Sequence, residues 1–359
     1  MQSSKLFLAF LLITIFNGCH YDAVQPLKES TWEVVPLAQP LDQLLLGNIY
    51  FSTEQTGYIV AQTPGFDHSV LLTTEDGGDT WLMDTIRIKN IKVGGLIGKF
   101  NNALYIVGYP PTANEPDYLD VFKSIDGGAT WEFESNGGGF FNKDYFISDV
   151  NRLRFAYDKI LKSSDNGSTW NIVNNGCEAA NMTGITFPSQ NIGYIYGVYL
   201  YCIDYGSPLY QKGFVLKTID GGESWRKLSL DVGSVLSIYF VNDLVGFLFT
   251  LSKELFKTVN GGDSWVRINS SVPQRGERVQ SYFISPKEGY LGEEFDGGDN
   301  IYHTVDGGLT WTGQCSHSDE RFRQIYFFSS NKAFAIIDKI TWVDGKLQNS
   351  TVLRRLTKN

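Results

Sequence analysis

The chain has 359 residues, 14% of them aromatic, with 37 glycines and a formal net charge of −9. Its pI near 5.0 excludes the broad electrostatic attraction on which nucleic-acid binding depends. Little of the sequence repeats at helical period, so the composition points to many short strands joined by glycine-rich turns, an all-β protein.

Residues 1–18 read as an export signal: Lys5 is followed by an apolar run from Leu6 to Phe16 that is too short to span a bilayer. The segment closes on Phe16-Asn17-Gly18-Cys19. A cysteine directly after a small residue here resembles a bacterial lipoprotein signal, in which Cys19 becomes the acylated first residue. The rival reading is an ordinary secretory signal with an incidental cysteine. Residues 19–29 then form a tether and residues 30–359 the folded domain. The resemblance implies a cell-envelope protein at the outer membrane, periplasmic or surface facing, held by its lipid alone. His20 after the cysteine argues by analogy against inner-membrane retention.

The domain is built on a repeat. Lys217-Thr218-Ile219-Asp220-Gly221-Gly222-Glu223-Ser224-Trp225 recurs in six forms, ending in Trp81, Trp131, Trp170, Trp225, Trp265 and Trp311. Each form carries an acid at one position (Asp76, Asp126, Asp165, Asp220, Asp306) except one, which has Asn260. Asp before glycine between two strand-forming runs is hairpin chemistry: the carboxylate accepts turn amides and glycine takes the positive-φ positions. The flanking Ser/Thr satisfy further turn groups, and the Trp opens the next strand with a large apolar face. An acid repeated at five of six such turns is therefore a structural staple, not a catalyst or a metal ligand.

Thr31-Trp32-Glu33-Val34-Val35 reads as the second half of such a unit, and Val352-Leu353-Arg354-Arg355-Leu356 as the first half of one. Repeats of this length mean propellers or solenoids. With Trp32 counted, seven units follow. The expected fold is a seven-bladed β-propeller of four-stranded blades, its last blade closed by strands from both termini, which removes the open edge. Expected inner strands include 47–52, 184–187, 237–240, 280–284 and 324–328, each followed by a Gly/aromatic strand such as Gly57-Tyr58 or Gly193-Tyr194. In the third blade the second and third strands are 153–157 and 160–163.

Antiparallel succession puts first-to-second and third-to-fourth turns on one rim, and all other connections on the opposite one. The long segments (109–120, 199–213 and 293–300 within blades; 136–143, 174–183, 269–279 and 312–323 between them) all belong to the second rim, which is read as the binding face. It gathers aromatics (Phe140, Phe141, Tyr199, Tyr201, Tyr205, Tyr210), acids (Glu115, Asp117, Asp120, Glu293, Glu294, Asp296, Asp299) and four arginines (Arg275, Arg278, Arg321, Arg323). The arginines precede the inner strands of adjacent blades and suit carboxylate or phosphate recognition. Asp296-Gly297-Gly298-Asp299-Asn300 has too few acids for a calcium site and reads as a turn. Four scattered histidines leave no metal cluster, and no nucleophile elbow or phosphate loop is present. No cofactor is expected. Cys177 and Cys202 flank one sheet and either bridge across its loops or, with Cys315, stay separate.

The six units match the Asp-box (BNR) pattern. Sialidases are similar in these repeats, but no Phe-Arg-Ile-Pro element precedes the first box. Over nearly all of residues 30–359 the chain resembles the photosystem II stability/assembly factor family, on the Lys-Thr-x-Asp-Gly-Gly-x-Ser/Thr-Trp box, the Gly-Tyr second strand and the lipoprotein signal of its cyanobacterial members. The resemblance implies a non-enzymatic, monomeric propeller binding a protein, or an extracellular glycan or peptide, as an assembly or scaffold factor. Members carry a basic patch, of which the late arginines are the remnant in this acidic chain. The alternative is a carbohydrate-active enzyme of the sialidase or glycoside hydrolase type, with Glu293 or Glu294 opposed to Asp117 or Asp120.

Overall fold

A computed structural model describes residues 32–38, 41–64, 68–88, 91–100, 102–109, 120–136, 143–148, 150–156, 159–175, 182–199, 212–270, 279–293, 301–314, 320–327, 332–343 and 346–357. They form seven four-stranded antiparallel sheets, each a simple meander, arranged as a seven-bladed propeller. The propeller lies within the compact unit Thr31–Asn359. The inner strands are Leu45–Phe51, Lys92–Phe100, Lys143–Phe146, Met182–Thr186, Val235–Phe240, Val279–Phe283 and Glu320–Phe327.

Blade 7 closes as the split unit requires. Its strands are Glu320–Phe327, Lys332–Val343, Lys346–Thr357 and then Trp32–Val34, the outermost. Trp32 pairs with Leu356 and Val34 with Arg354, and the Val35 amide donates to the Leu353 carbonyl at 2.8 Å. Strand limits shift by one to four residues from the sequence reading: blade 1 starts at Leu45, and the second and third strands of blade 3 are Arg152–Ala156 and Lys159–Ser163. The larger departure is the third strand of blade 7, which begins at Lys346 instead of Val352.

The box turn shows why its residue types recur. In blade 4 the Thr218 hydroxyl donates to Asp220 Oδ1 (2.7 Å) and accepts the Gly222 amide (2.8 Å). Asp220 then accepts the Ser224 amide at Oδ1 (3.0 Å) and its hydroxyl at Oδ2 (2.6 Å). Gly221 and Gly222 sit at φ 69° and 89°, where a side chain would be strained. The Gly221 amide donates to the Asn191 carbonyl (2.9 Å), which bonds the box to the first-to-second turn of its own blade. Blade 5 makes the same turn with Asn260, whose Oδ1 accepts Thr258 Oγ1 (2.9 Å) and whose Nδ2 donates to Ser264 Oγ (2.9 Å), reversing one bond.

The seams are aromatic. A Phe at or just after the end of the inner strand meets the box Trp of its own blade edge-on (Phe51 with Trp81, Phe187 with Trp225, Phe240 with Trp265 and Phe283 with Trp311, at centroid distances of 5.9–6.1 Å), and that ring stacks on the preceding blade, as Phe240 does on Tyr194 at 4.1 Å and Phe283 on Phe247 at 3.6 Å. The glycine opening the second strand exists for this ring, since a Cβ at Gly246 would lie 2.6 Å from the Phe240 ring and one at Gly289 2.5 Å from that of Phe283. Trp81 also faces Phe334 of the preceding blade at 6.3 Å. One core cluster therefore joins blade 1 residues to Phe334, Ile336 and Leu353 of blade 7.

A basic residue on the third strand adds a clasp to the next box. Lys162 of blade 3 reaches Glu223 of box 4 at 2.5 Å, and Lys217 of blade 4 reaches the Gly261 carbonyl (2.6 Å) and Asp263 (3.2 Å) of box 5. Arg355 of blade 7 pairs with Asp79 of box 1, closing the circle. The two lysines are buried, so each ammonium is held by its partners where water is scarce.

Trp81→Ala removes a buried side chain from the seam between blades 7 and 1 and should lower stability by about 3–5 kcal/mol, read as a fall in the urea midpoint. Lys217→Met should cost about 1–3 kcal/mol by leaving the Gly261 carbonyl and Asp263 without this donor. A midpoint equal to wild type would refute the clasp.

Candidate binding rim

The two rims differ as the strand order dictates. On the box rim the first-to-second turns are short, from residues 101–102 to residues 187–192. The opposite rim takes the connections between second and third strands and between blades, including Tyr109 to Asp120, Val198 to Gly213 and Glu293 to Ile301. The long connections are therefore all on one side.

The second and third strands of blade 7 add a feature the sequence reading did not anticipate. Pairing of Lys332–Val343 with the inner strand ends at Glu320↔Lys339, yet the ladder with Lys346–Thr357 runs on through Ile340↔Asn349 to Val343↔Lys346. These four pairs form a two-stranded ribbon beyond the blade, on the long-loop rim. Its sequence signal was the Asp344-Gly345 dipeptide between two strand-forming runs.

Of the four arginines, Arg323 is described in full. Its Nε and Nη2 donate to Asp338 Oδ2 at 3.2 and 3.0 Å, and its Nη1 donates to the Leu46 carbonyl of blade 1 at 2.7 Å. The guanidinium thus joins blades 7 and 1 at the bulge between Phe322 and Gln324. The side chain remains 43% exposed, so one face is open to the rim. Arg321 pairs through its backbone with Asp338. Arg275 and Arg278 lie outside the described residues, as do Tyr201, Phe140, Phe141, Tyr205, Tyr210, Glu115, Asp117, Glu294, Asp296, Asp299 and all four cysteines.

Tyr199 is 2% exposed, packed 5.1 Å from the Phe214 ring, with its hydroxyl bonded to Lys227. It belongs to the interior of blade 4 at the root of its loop, not to a displayed aromatic surface. Glu293 is fully buried and accepts the Tyr302 hydroxyl at 3.0 Å. Asp120 opens the third strand of blade 2, and burial pushes its carboxyl up. Among the described residues no group of three or more His, Cys, Asp or Glu is placed to hold a metal.

The inner strands are stitched around the channel. Five of them are bulged, and in blades 1, 2, 5 and 7 side chains of the preceding blade satisfy backbone groups beside the bulge. Gln324 Oε1 accepts the Ile49 amide and Gln280 Oε1 the Ile325 amide, both at 3.0 Å, and Thr183 donates to the Val235 carbonyl at 2.7 Å. Nearer the box rim, Tyr239 meets Tyr282 at 4.8 Å, Tyr282 stacks on Phe327 at 4.2 Å, and the Tyr326 hydroxyl donates to the Phe51 carbonyl at 3.1 Å. Burial pushes the Tyr326 phenol up to about 12. Sequence reasoning missed these residues because each acts on a neighbouring blade.

The box acids are the strongly perturbed carboxylates. Hydroxyl and amide donors of Thr130 and Thr169 hold Asp126 and Asp165 down at about 2. At Asp220 burial works the other way, but the Ser224 and Thr218 hydroxyls and the Ser224 amide outweigh it, giving about 2. A carboxyl lowered on folding contributes stability that is complete above its ordinary value of 3.8 and is lost as pH falls towards about 2. Asp220→Asn, following the natural Asn260 turn, should stay within about 1 kcal/mol of wild type at neutral pH and lose less stability on acidification. Asp220→Ala should be the less stable of the two. Urea titrations at neutral and acid pH check both; equal acid sensitivity of Asp220→Asn and wild type would refute the assignment.

No family model matches the chain, and no curated protein matches it significantly. Solved structures do. YCF48 bound to D1 peptide is 18% identical with a TM-score of 0.60, over 94% of this chain and 98% of that one. YCF48 from Cyanidioschyzon merolae is 17% identical with a TM-score of 0.62, over 91% and 99%. The GH74 xyloglucanase from Xanthomonas campestris is 11% identical with a TM-score of 0.52, over 86% of this chain and 54% of its own. At these identities the likeness is one of fold.

Proposed function

We propose that this protein is a non-enzymatic, lipid-anchored propeller of the cell envelope that binds a segment of another protein on its long-loop rim, as an assembly or scaffold factor. The observation that carries the reading is the confinement of every long connection, and of the blade 7 ribbon, to one rim. Insertions on one face of a repeat fold enlarge a binding surface without disturbing the packed blades. A peptide partner is favoured because a propeller of the same fold, YCF48, has been solved with a D1 peptide bound. Arg323 keeps one face open at that rim, and with Arg275, Arg278 and Arg321 it supplies guanidinium groups for carboxylates of the partner. Of the acids named for the enzymatic alternative, Glu293 is buried and engaged by Tyr302, which suits a structural role.

Capture tests the reading. Arg323 is left in place because it holds the Leu46 carbonyl, and Arg278→Gln and Arg321→Gln are introduced together. Crosslinked pull-down of the full lipidated chain from the envelope should recover its partner with wild type and several-fold less with the double variant. The same partners at the same yield would show that the arginines are only surface. Cys19→Ala should move the protein from the membrane fraction to the soluble one.

A further inference from the structure

The chain enters the propeller on the box rim. Trp32, the first residue of the outermost strand of blade 7, pairs with Leu356, beside the Arg355–Asp79 clasp to box 1. The polypeptide leading back to Cys19 is therefore joined at this rim. Only twelve residues, 20–31, separate the two, a reach of roughly 40 Å at full extension.

The same rim displays bulky aliphatics. Ile219 is 67% exposed, Leu244 58%, Val259 67%, Val305 43% and Leu309 50%. Ile219, Val259 and Val305 occupy the position between the hydroxyl residue and the Asp or Asn of boxes 4, 5 and 6, and Ile125, also exposed, holds it in box 2. The turn does not require an apolar residue there, because Glu75 and Ser164 hold that position in boxes 1 and 3. Leu244 adjoins Val259 within blade 5, where its carbonyl accepts the Gly261 amide at 2.8 Å. Three consecutive blades, the last of them next to the blade that receives the tether, thus offer aliphatic tips to solvent, an exposure that marks an interaction surface.

We infer that the box rim of blades 4 to 6 rests on a bilayer, its aliphatic tips entering the headgroup–acyl boundary, so that the long-loop rim faces away from the membrane. The inference rests on the proposed acylation of Cys19, whose lipid would hold the chain at the surface and so raise the effective concentration of the aliphatic tips there. The lipid surface it fits is zwitterionic. At boxes 4 and 5 Lys162 is engaged by Glu223, and Lys217 and Arg226 by Asp263, while Asp220 keeps a carboxylate at the box 4 turn, so these cations are already paired and give anionic headgroups little to bind.

The experiment reconstitutes the full lipidated chain in phosphatidylcholine vesicles with brominated acyl chains and reads quenching of tryptophan fluorescence, since Trp225, Trp265 and Trp311 belong to this rim. The comparison is Ile219→Glu with Val259→Glu and Val305→Glu, a change that copies the natural Glu75, with a thermal melt to confirm the fold. Wild type should be quenched roughly three-fold more than the triple variant, and less strongly when phosphatidylglycerol replaces phosphatidylcholine. Equal quenching of the two proteins overturns the inference. The mass of the N-terminal peptide reports acylation separately. If Cys19 carries no lipid the anchor falls, and the rim is judged by partition of the two chains to the same vesicles, where equal partition overturns it.

Discussion

The ring depends on one small hydrogen-bonded device, a hydroxyl and a carboxylate two residues apart that together close each third-to-fourth turn. Thr218 and Asp220 between them take the Gly222 amide and the Ser224 amide and hydroxyl, and bond to each other. That fixes the reversal so tightly that the following Trp225 always arrives against the inner-strand Phe187. Repetition of this geometry makes successive seams alike, and alike seams allow a closed ring. Asn260 shows that geometry matters more than charge: its amide nitrogen donates where the acids accept, and the turn survives.

What was legible in the sequence follows from where the causes lie. A box turn is decided within nine residues, so Lys217 to Trp225 announces it without knowledge of any neighbour. The split seventh blade was legible for the same reason, since Trp32 and Arg355 each carry half of the pattern. What escaped notice acts across blades. Lys217 and Asp263 are far apart in the chain, and nothing local marks the second as the partner of the first. Arg323 looked like a free guanidinium because Asp338 and the Leu46 carbonyl reach it only through the bulge and the ring closure. Tyr199 looked like a loop aromatic, but backbone pairing continues to its amide, which donates to the Lys212 carbonyl at 3.0 Å, and so its ring is drawn inside.

The division between rims is likewise a matter of constraint. On the box rim the six box turns keep one length and the first-to-second turns stay short, because the Gly221 amide must find the Asn191 carbonyl and the tryptophan must find its phenylalanine. An inserted residue would break several bonds at once. On the other rim the connections join strands already in register, and lengthening such a loop costs little, about 0.6 kcal/mol per doubling. Sequence freedom collects where structure tolerates it, on the long-loop rim. The bulged inner strands supply a firm base for it, since Gln280, Gln324 and Thr183 tie adjacent blades together around the channel.

Closure through both termini decides how the ring would bear a force applied at its amino-terminal strand. Such a force would fall first on Trp32–Val34, a strand of three residues. Unzipping it would expose the seam where Trp32 lies edge-on to Tyr290 at 6.3 Å and would free the last strand at Leu356. The strand is not held alone, however. Its partner strand is anchored to blade 1 by Thr351, whose hydroxyl bridges the Leu46 amide and the Leu44 carbonyl at 2.8 Å each, and by Arg355 on Asp79. Force at the amino-terminal strand would therefore be shared between blades 7 and 1 at the box-rim seam, and the long-loop rim lies at the far end of the same sheets.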